Sequence, residues 1–219
     1  MSSTHLPEDA RSIRGQYGRE TVEFARLVNL SDAVFAIAMT LLVLGLAVPD
    51  VRTDQLAGEL ARTLPQLAAF VLGFALIGNV WWQHHKLFAR LARLDRRLVA
   101  LNLAFLGAVA MAPFPTGLLG SYPTSRATVI PFIGIFLLLG SLFLAMVCHA
   151  QRRAAWAQPM PAAIYPWVLA GWLGSLALLI VALAVAFAAP VLALAVLVLS
   201  SAPEAVVARR APAGYRHWS

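Results

Sequence analysis

Long apolar runs alternate with short polar segments along the whole chain. Apolar side chains dominate residues 28–48, 64–85, 98–119 and 127–149, and one longer apolar block covers residues 165–202. A helix needs about 20 apolar residues to cross the hydrocarbon core of a bilayer. Each of the first four runs has that length, whereas the last block is too long for one crossing. The pattern therefore predicts six membrane-spanning helices, with the last block divided near residues 186–190.

Prolines and tryptophans refine two of these spans. Pro113 and Pro115 lie in the third span, where each removes a backbone donor and is expected to kink or end the helix. We interpret the run Pro113–Thr116 as a helix end near the outer face. Trp81 and Trp82 lie near the end of the second span, which is typical of aromatic residues at a membrane interface.

Basic residues indicate the orientation of the spans. With a cytoplasmic N-terminus, 14 of the 17 Lys and Arg residues fall in cytoplasmic segments. Cytoplasmic loops of membrane proteins carry this excess, so both termini are expected in the cytoplasm. Residues 1–25 are then a cytoplasmic tail that becomes helical towards Glu20 and shows no cleavable signal peptide. Residues 26–208 form the membrane domain, and residues 209–219 form a second cytoplasmic tail.

Composition supports an integral membrane protein of the all-helical class. The chain has 219 residues, of which 60% are hydrophobic and 12% are charged, about half the charged share of a soluble domain. The bilayer is therefore the expected partner, and the net charge of +7 belongs to the cytoplasmic segments and does not indicate nucleic acid. The single cysteine, Cys148, excludes an intrachain disulfide. No internal repeat is visible, which disfavours an inverted-repeat transporter.

The first span carries polar residues that a simple membrane anchor does not need. Ser31 or Asp32 could cap the helix while Arg26 reaches the lipid headgroups. Alternatively, Asp32 is buried and paired with neighbouring helices, because an unpaired buried charge is costly. The candidate partners lie at the same depth in the second and third spans, and they are Trp81, His84, His85 and Asn102. The residues alone leave both interpretations open.

One face of the first span has a pattern that would suit a pore. Ile37, Thr40, Leu41 and Leu44 are spaced i, i+3, i+4 and i+7, so they share a helix face. Around an axis of identical chains they would form apolar rings with a hydroxyl ring between them, and apolar constrictions can gate a pore by dewetting. Ordinary packing remains the more common reason for such spacing.

The sequence shows no group of residues typical of an enzyme active site. His84 and His85 are adjacent and point in different directions on a helix, and the zinc-protease pattern His-Glu-x-x-His is absent. No nucleophile elbow, phosphate-binding loop or intramembrane protease pair is found, so we predict neither an enzyme nor a cofactor or metal site. The potassium-filter sequence Thr-Val-Gly-Tyr-Gly is also absent, which excludes an ordinary carbonyl filter but not another kind of pore.

The first span resembles the signature of a known family. Arg26-x-x-x-Leu30-Ser31-Asp32, followed by Ala-Val-Phe-Ala-Ile-Ala-Met-Thr-Leu-Leu-Val-Leu, is similar to the Arg-x-x-x-Phe-Ser-Asp signature of the transmembrane protein 175 family. Further similarities are Trp81-x-x-His84-His85-Lys86-Leu87-Phe88, Asn102 and Pro113-Phe114-Pro115-Thr116. They cover the first half of the chain, while the last three spans match only in number and length. Leu30 departs from the signature, which has Phe there.

The resemblance implies a potassium-permeable channel of the bacterial plasma membrane, with potassium as the permeant ion. Prokaryotic members of the family assemble as homotetramers of six-helix chains whose first helices line the central pore. By position, Ile37 would form the constriction, Thr40 the hydroxyl layer and Leu44 a further apolar ring, with Leu41 on the same face. A polar network would contain Arg26, Ser31, Asp32, Trp81, His84 or His85, and Asn102. The alternative is a proton- or ion-coupled transporter that uses Asp32 and the histidines.

Overall fold

The computed structural model describes residues 16–215 and residue 218, and these residues are almost entirely helical. The helices are α1 (Val22–Leu41), which continues as a 3-10 helix (Leu42–Gly45), α2 (Leu56–Arg62), α3 (Leu64–Arg90), α4 (Arg96–Met111), α5 (Pro113–Ser121), α6 (Arg126–Arg152), α7 (Tyr165–Ala186), α8 (Pro190–Leu199) and α9 (Ala202–Arg210). Two short strands, β1 (Gln16–Gly18) and β2 (Arg93–Asp95), complete the structure.

Six helical segments of the described chain are long and apolar enough to cross a membrane, which confirms the predicted number. They are Val22–Gly45, Leu64–Arg90, Arg96–Ser121, Arg126–Arg152, Tyr165–Ala186 and Pro190–Arg210. The division of the last apolar block is also confirmed, because α7 ends at Ala186 and α8 begins at Pro190. Proline is favoured at a helix start, where its missing N–H has no helical partner to lose.

The first helix begins earlier than hydropathy predicted. Thr21 caps α1 by accepting a hydrogen bond from the Phe24 N–H at 3.3 Å, so Ser31 and Asp32 lie inside the helix. The interpretation of Ser31 or Asp32 as the cap is therefore wrong. The predicted domain boundary after residue 25 falls within α1, and residues 1–15 of the predicted tail lie outside the described residues. The boundary after residue 208 likewise falls within α9.

The second and third spans also differ from their predicted ends. Helix α3 continues past His85 to Arg90, because Lys and Arg are good helix formers and extend the helix beyond its apolar part. Pro113 starts a helix instead of ending one: α4 ends at Met111, and α5 follows after an interruption at Ala112. The Thr116 hydroxyl spans this interruption by donating to the Ala112 carbonyl at 2.8 Å.

A small cluster of non-helical backbone lies at one end of the bundle. Strand β1 pairs antiparallel with β2, and Gln16 is opposite Asp95. The connector between α6 and α7 joins them, because Ala92 N–H donates to the Ala155 carbonyl at 2.8 Å. Arg90 donates to the Trp218 carbonyl at 3.0 Å. The chain before α1, both connectors and the described C-terminal residue therefore meet on the same side, as six crossings require.

Helix α3 approaches α5 so closely that Gly73 has no room for a side chain. A Cβ atom at Gly73 would lie 2.7 Å from the Thr116 Cγ2 atom. We expect Gly73→Ala to lower the free energy of unfolding by about 1–3 kcal/mol, because overpacking displaces neighbouring atoms. The measurement is thermal unfolding of the purified protein in detergent.

Gly78 on the same helix is the matched control, because a Cβ atom there would meet nothing within 4 Å. Gly78→Ala is expected to be neutral or stabilising, since Gly in a helix interior costs about 0.5–1 kcal/mol relative to Ala. Adding Thr116→Ser to Gly73→Ala removes the clashing methyl group and should recover part of the loss. Equal effects of the two glycine variants would contradict the close contact.

Candidate pore face and polar chain

Helix α1 has one side packed into the bundle and another left exposed. Its buried residues are Phe24, Ser31, Phe35 and Ala38, whose spacing places them along one side of the helix. Phe35 is fully buried and contacts the ring of Phe105 on α4, with 6.1 Å between ring centroids. The orientation of α1 about its own axis is therefore determined by packing against α3 and α4.

The four predicted pore residues are all exposed: Ile37, Thr40 and Leu41 lie on α1, whereas Leu44 lies in the 3-10 helix that continues it. The exposed fractions of Ile37, Leu41 and Leu44 are 58%, 42% and 76%. Thr40 is also exposed, and its hydroxyl donates to the Ile37 carbonyl at 2.8 Å. The Thr40 hydroxyl proton is thus used by the backbone, so the oxygen lone pairs remain available to a cation. A single chain leaves this apolar face uncovered, and its role in a pore stays a prediction.

Three buried side chains link α1, α4 and α3, and we call them the polar chain: Ser31, Asn102 and His84. The Asn102 Nδ2 atom donates to Ser31 Oγ at 3.1 Å, and His84 Nε2 lies 2.8 Å from Asn102 Oδ1. Ser31 in turn donates to the Leu27 carbonyl at 2.9 Å. Because an amide oxygen only accepts, this arrangement requires the proton on His84 Nε2. Among the described residues, no buried side-chain nitrogen or oxygen atom then lacks a hydrogen-bond partner.

Aromatic rings hold His84 in this position. Its ring stacks on Phe88 and Phe105, with centroid distances of 4.3 and 5.4 Å, and it is 2% exposed. Leu30, which replaces the aromatic residue of the family signature, is 45% exposed and lies outside this aromatic packing. The polar chain is therefore complete with leucine at position 30.

A second link between α1 and α3 lies nearer the surface. The Trp81 Nε1 atom donates to Asp32 Oδ1 at 3.0 Å. Asp32 is exposed in the single chain, so the interpretation of a buried Asp32 is not fulfilled, although one of its predicted partners does bind it.

Two other predicted network residues are not brought into the polar chain. Arg26 is exposed, and no ion pair or hydrogen bond reaches its side chain from the residues that the structure describes. His85 is exposed and stacks on Trp82 with 6.1 Å between centroids. Of the two histidines, the helix phase thus directs only His84 towards α4.

A charged cluster at the start of α4 was not predicted from the sequence. Asp95 caps α4 by accepting from the Leu98 N–H at 2.8 Å, and it also pairs with His149 at 2.8 Å and Arg153 at 3.8 Å. Burial disfavours the charged carboxylate, but the hydrogen bonds from Leu98 and His149 and the positive charges outweigh burial. They hold the pKa of Asp95 below its ordinary value. The cap was readable from the sequence as Asp before an apolar helical run, whereas the partners on α6 were not.

The lowered pKa of Asp95 predicts a pH-dependent stability. The ionised carboxylate stabilises the fold above its ordinary pKa of about 3.9, and this contribution is lost as the pH falls through the lower folded value. Asn keeps the cap but not the charge, so Asp95→Asn should lower the unfolding midpoint by about 2 °C at pH 6. The difference from the unsubstituted protein should begin to shrink in thermal melts below about pH 4 and disappear once the pH lies below the folded pKa of Asp95.

Asp50→Asn is the control for this charge effect, because Asp50 is exposed in the connector after α1. It is expected to leave the midpoint unchanged at both pH values. A difference for Asp95→Asn that persists unchanged at pH 3 would contradict the pKa argument.

No cluster of three or more His, Cys, Asp or Glu residues that could hold a metal ion occurs within residues 16–215 or at residue 218.

The fold and the polar chain define a class of protein: a six-span helical membrane protein whose first helix presents an apolar face and is linked to the second and third spans by a buried polar chain. The chain belongs to the TMEM175 family. The family profile described as "Endosomal/lysosomal potassium channel TMEM175" matches residues 26–113.

Relatives in bacteria and vertebrates extend this result. A protein of Chamaesiphon minutus named as a potassium channel is 39% identical over 137 residues, which are 60% of this chain and 68% of that protein. A potassium channel of Streptomyces collinus is 44% identical over 103 residues, 46% of this chain and 49% of that protein. The human protein, named as an endosomal/lysosomal proton channel, is 30% identical over 149 residues, 62% of this chain and 30% of its own length.

A solved structure shows the same fold. The crystal structure of a lysosomal potassium-selective channel TMEM175 homolog from Chamaesiphon minutus superposes with a TM-score of 0.70 at 30% identity. The match covers 87% of this chain and 98% of that one. The similarity therefore includes the last three spans, where the sequence matched only in number and length.

Proposed function

We propose that this chain is a potassium-permeable channel of the bacterial plasma membrane, formed by four copies with α1 of each copy around a central axis. The observation that carries the proposal is the exposed apolar face formed by Ile37 and Leu41 of α1 and by Leu44 of the 3-10 helix that continues it. Membership of a family whose bacterial relatives are named potassium channels supports the same conclusion. Both termini are assigned to the cytoplasm, since the described ends lie on the side that carries most of the basic residues.

The geometry of α1 suits a pore that selects without backbone carbonyls. Ile37 would form a narrow apolar ring, and one turn further Thr40 would present a ring of hydroxyl oxygens. Oxygen atoms can replace part of the hydration shell of an ion, while apolar rings control whether water fills the pore. The polar chain contributes indirectly, because it links α1 to α3 and α4 and thereby orients the pore face.

The transporter alternative requires Asp32 and the histidines to change partners during transport. In the structure, however, His84 is enclosed by aromatic rings and Asp32 is bound by Trp81. These contacts favour a rigid support over a mobile carrier site. The two functions differ in their transport signature: a channel gives unitary current steps, whereas a transporter gives saturable flux without them.

The test is the current carried by the purified protein in planar bilayers with potassium, sodium or protons as the permeant ion. We expect unitary potassium currents, and we expect Thr40→Ala to lower the potassium-over-sodium permeability ratio by about tenfold, or ~1.4 kcal/mol of barrier difference. Ser141→Ala is the matched control, because Ser141 on α6 is also exposed and also donates to its own helix, at 2.7 Å from the Leu137 carbonyl. An unchanged ratio would refute the role of Thr40, and saturable flux without current steps would refute the channel.

A further inference from the structure

A groove between α4 and α6 has the chemistry of a lipid site and lies apart from the pore face and the polar chain. The groove has a volume of about 490 Å³ and is lined by Arg97, Ala100, Leu101, Ala145, Cys148, His149 and Arg152. We call it the α4–α6 groove. Its residues follow helical spacing on both sides, so each helix presents one continuous face to it.

The two arginines of the groove lie at the same end of the bundle. Arg97 is the second residue of α4, and Arg152 is the last residue of α6. Both are therefore placed where a spanning helix meets the lipid headgroups. Neither has an ion-pair partner within the part of the chain that the structure describes. The nearby carboxylate of Asp95 is already engaged by His149 and Arg153.

Small apolar residues line the groove below the arginines. Ala100 lies about 4.5 Å along α4 from Arg97, and Ala145 lies about 10 Å along α6 from Arg152, at 1.5 Å per residue. The groove therefore has small side chains at two depths below the arginines, and Leu101 and Cys148 complete its apolar wall. A phosphate held between the arginines would place an acyl chain along this wall.

We propose that the α4–α6 groove binds an anionic phospholipid of the cytoplasmic leaflet, with its phosphate between Arg97 and Arg152 and one acyl chain over Ala100 and Ala145. Guanidinium groups match phosphate oxygens with paired hydrogen bonds, which explains arginine at both positions. Basic pockets between spanning helices on the cytoplasmic side are suited to anionic headgroups. No carboxylate lines the groove, and the nearby Asp95 carboxylate is already paired with His149 and Arg153, so the positive group of a zwitterionic lipid finds no free carboxylate there.

The test measures lipids retained by the full-length protein in native mass spectrometry, after exchange into detergent with equal amounts of palmitoyl-oleoyl phosphatidylglycerol and phosphatidylcholine. We expect phosphatidylglycerol to be retained at least about fivefold more than phosphatidylcholine. The double variant Arg97→Gln/Arg152→Gln should remove this preference. The matched control Arg209→Gln/Arg210→Gln removes the same charge from exposed residues of α9 and should keep the preference.

A second pair of variants tests the groove without changing its charge. Ala145→Trp should fill the groove and remove phosphatidylglycerol although both arginines remain. If the tryptophan prevents assembly, Ala145→Leu takes its place and should remove phosphatidylglycerol more weakly. Equal losses in the α9 control would overturn the proposal in favour of diffuse surface charge. Displacement of the lipid by millimolar inorganic phosphate would show a free-anion site instead. If the groove variants separate the subunits but retain the lipid, a second copy of the chain and not a lipid covers the groove, and the proposal is overturned.

Discussion

Asn102→Leu is expected to lower the free energy of unfolding by about 1–3 kcal/mol, the cost of leaving a buried hydrogen-bond donor without a partner. Asn102 is fully buried and lies in the middle of the polar chain. Leucine has a similar size but cannot accept the His84 Nε2–H. Ser31 loses only the hydrogen bond that it accepts from Asn102, because its hydroxyl still donates to the Leu27 carbonyl. Thermal or denaturant unfolding in detergent, followed by circular dichroism, measures the effect.

The matched control is Asn79→Leu, which makes the same change at an exposed position of α3 and should be nearly neutral. The double variant His84→Phe/Asn102→Leu should be more stable than Asn102→Leu alone. Phenylalanine keeps the ring stacking with Phe88 and Phe105, and replacing both partners by apolar groups can be nearly neutral. If the double variant were as unstable as the sum of the single variants, the hydrogen bond between His84 and Asn102 would not be what stabilises this site.

Ile37→Asn is expected to raise the potassium current of the assembled channel by about tenfold, which corresponds to ~1.4 kcal/mol of barrier. An amide of similar size would hydrate the ring that Ile37 is proposed to form around the pore axis, and an apolar constriction conducts only when water enters it. The same change should reduce the potassium-over-sodium preference, because a hydrated ring no longer requires the ion to shed water. Single-channel recording in planar bilayers measures both quantities.

Leu138→Asn controls for the introduction of an amide into a membrane-exposed face. Leu138 lies on α6, is 48% exposed and is remote in sequence from α1. Its substitution should leave conductance and selectivity unchanged. A current that rises equally in both variants would place Ile37 outside the conduction path, and a current that does not rise at all would refute the apolar constriction.

The depth of a polar residue in its helix can be predicted from the sequence, whereas the direction in which its side chain points cannot. Ser31, Trp81, His84 and Asn102 were identified as candidates because polar groups at the same depth in apolar helices need one another. The choice between His84 and His85 was not predictable, since adjacent helical residues point about 100° apart. Only the packing of Phe35 and Phe105 around α3 determines that His84 faces Asn102.

Other features depended on contacts between distant segments. Strands β1 and β2 have three residues each, too few for an alternating pattern, and they exist because the chain before α1 lies beside the connector after α3. Asp95 and His149 are 54 residues apart, and the approach of α4 to α6 brings them together. The start of α1 at Val22 agrees with the expectation that the tail becomes helical towards Glu20. Hydropathy alone places the start of the span later, because it marks where a helix enters lipid, whereas Thr21 marks where the helix begins.

The sequence by itself determined six spans, the division of the last apolar block and the apolar character of the α1 face, because the length and period of apolar runs depend on neighbouring residues alone. The tertiary structure decided how α1 is rotated, which histidine joins the polar chain and that the third span continues as α5 through the proline run. These properties depend on the relative phase and distance of packed helices. That information arises only when side chains far apart in the sequence, such as Ser31 and Asn102, come into contact.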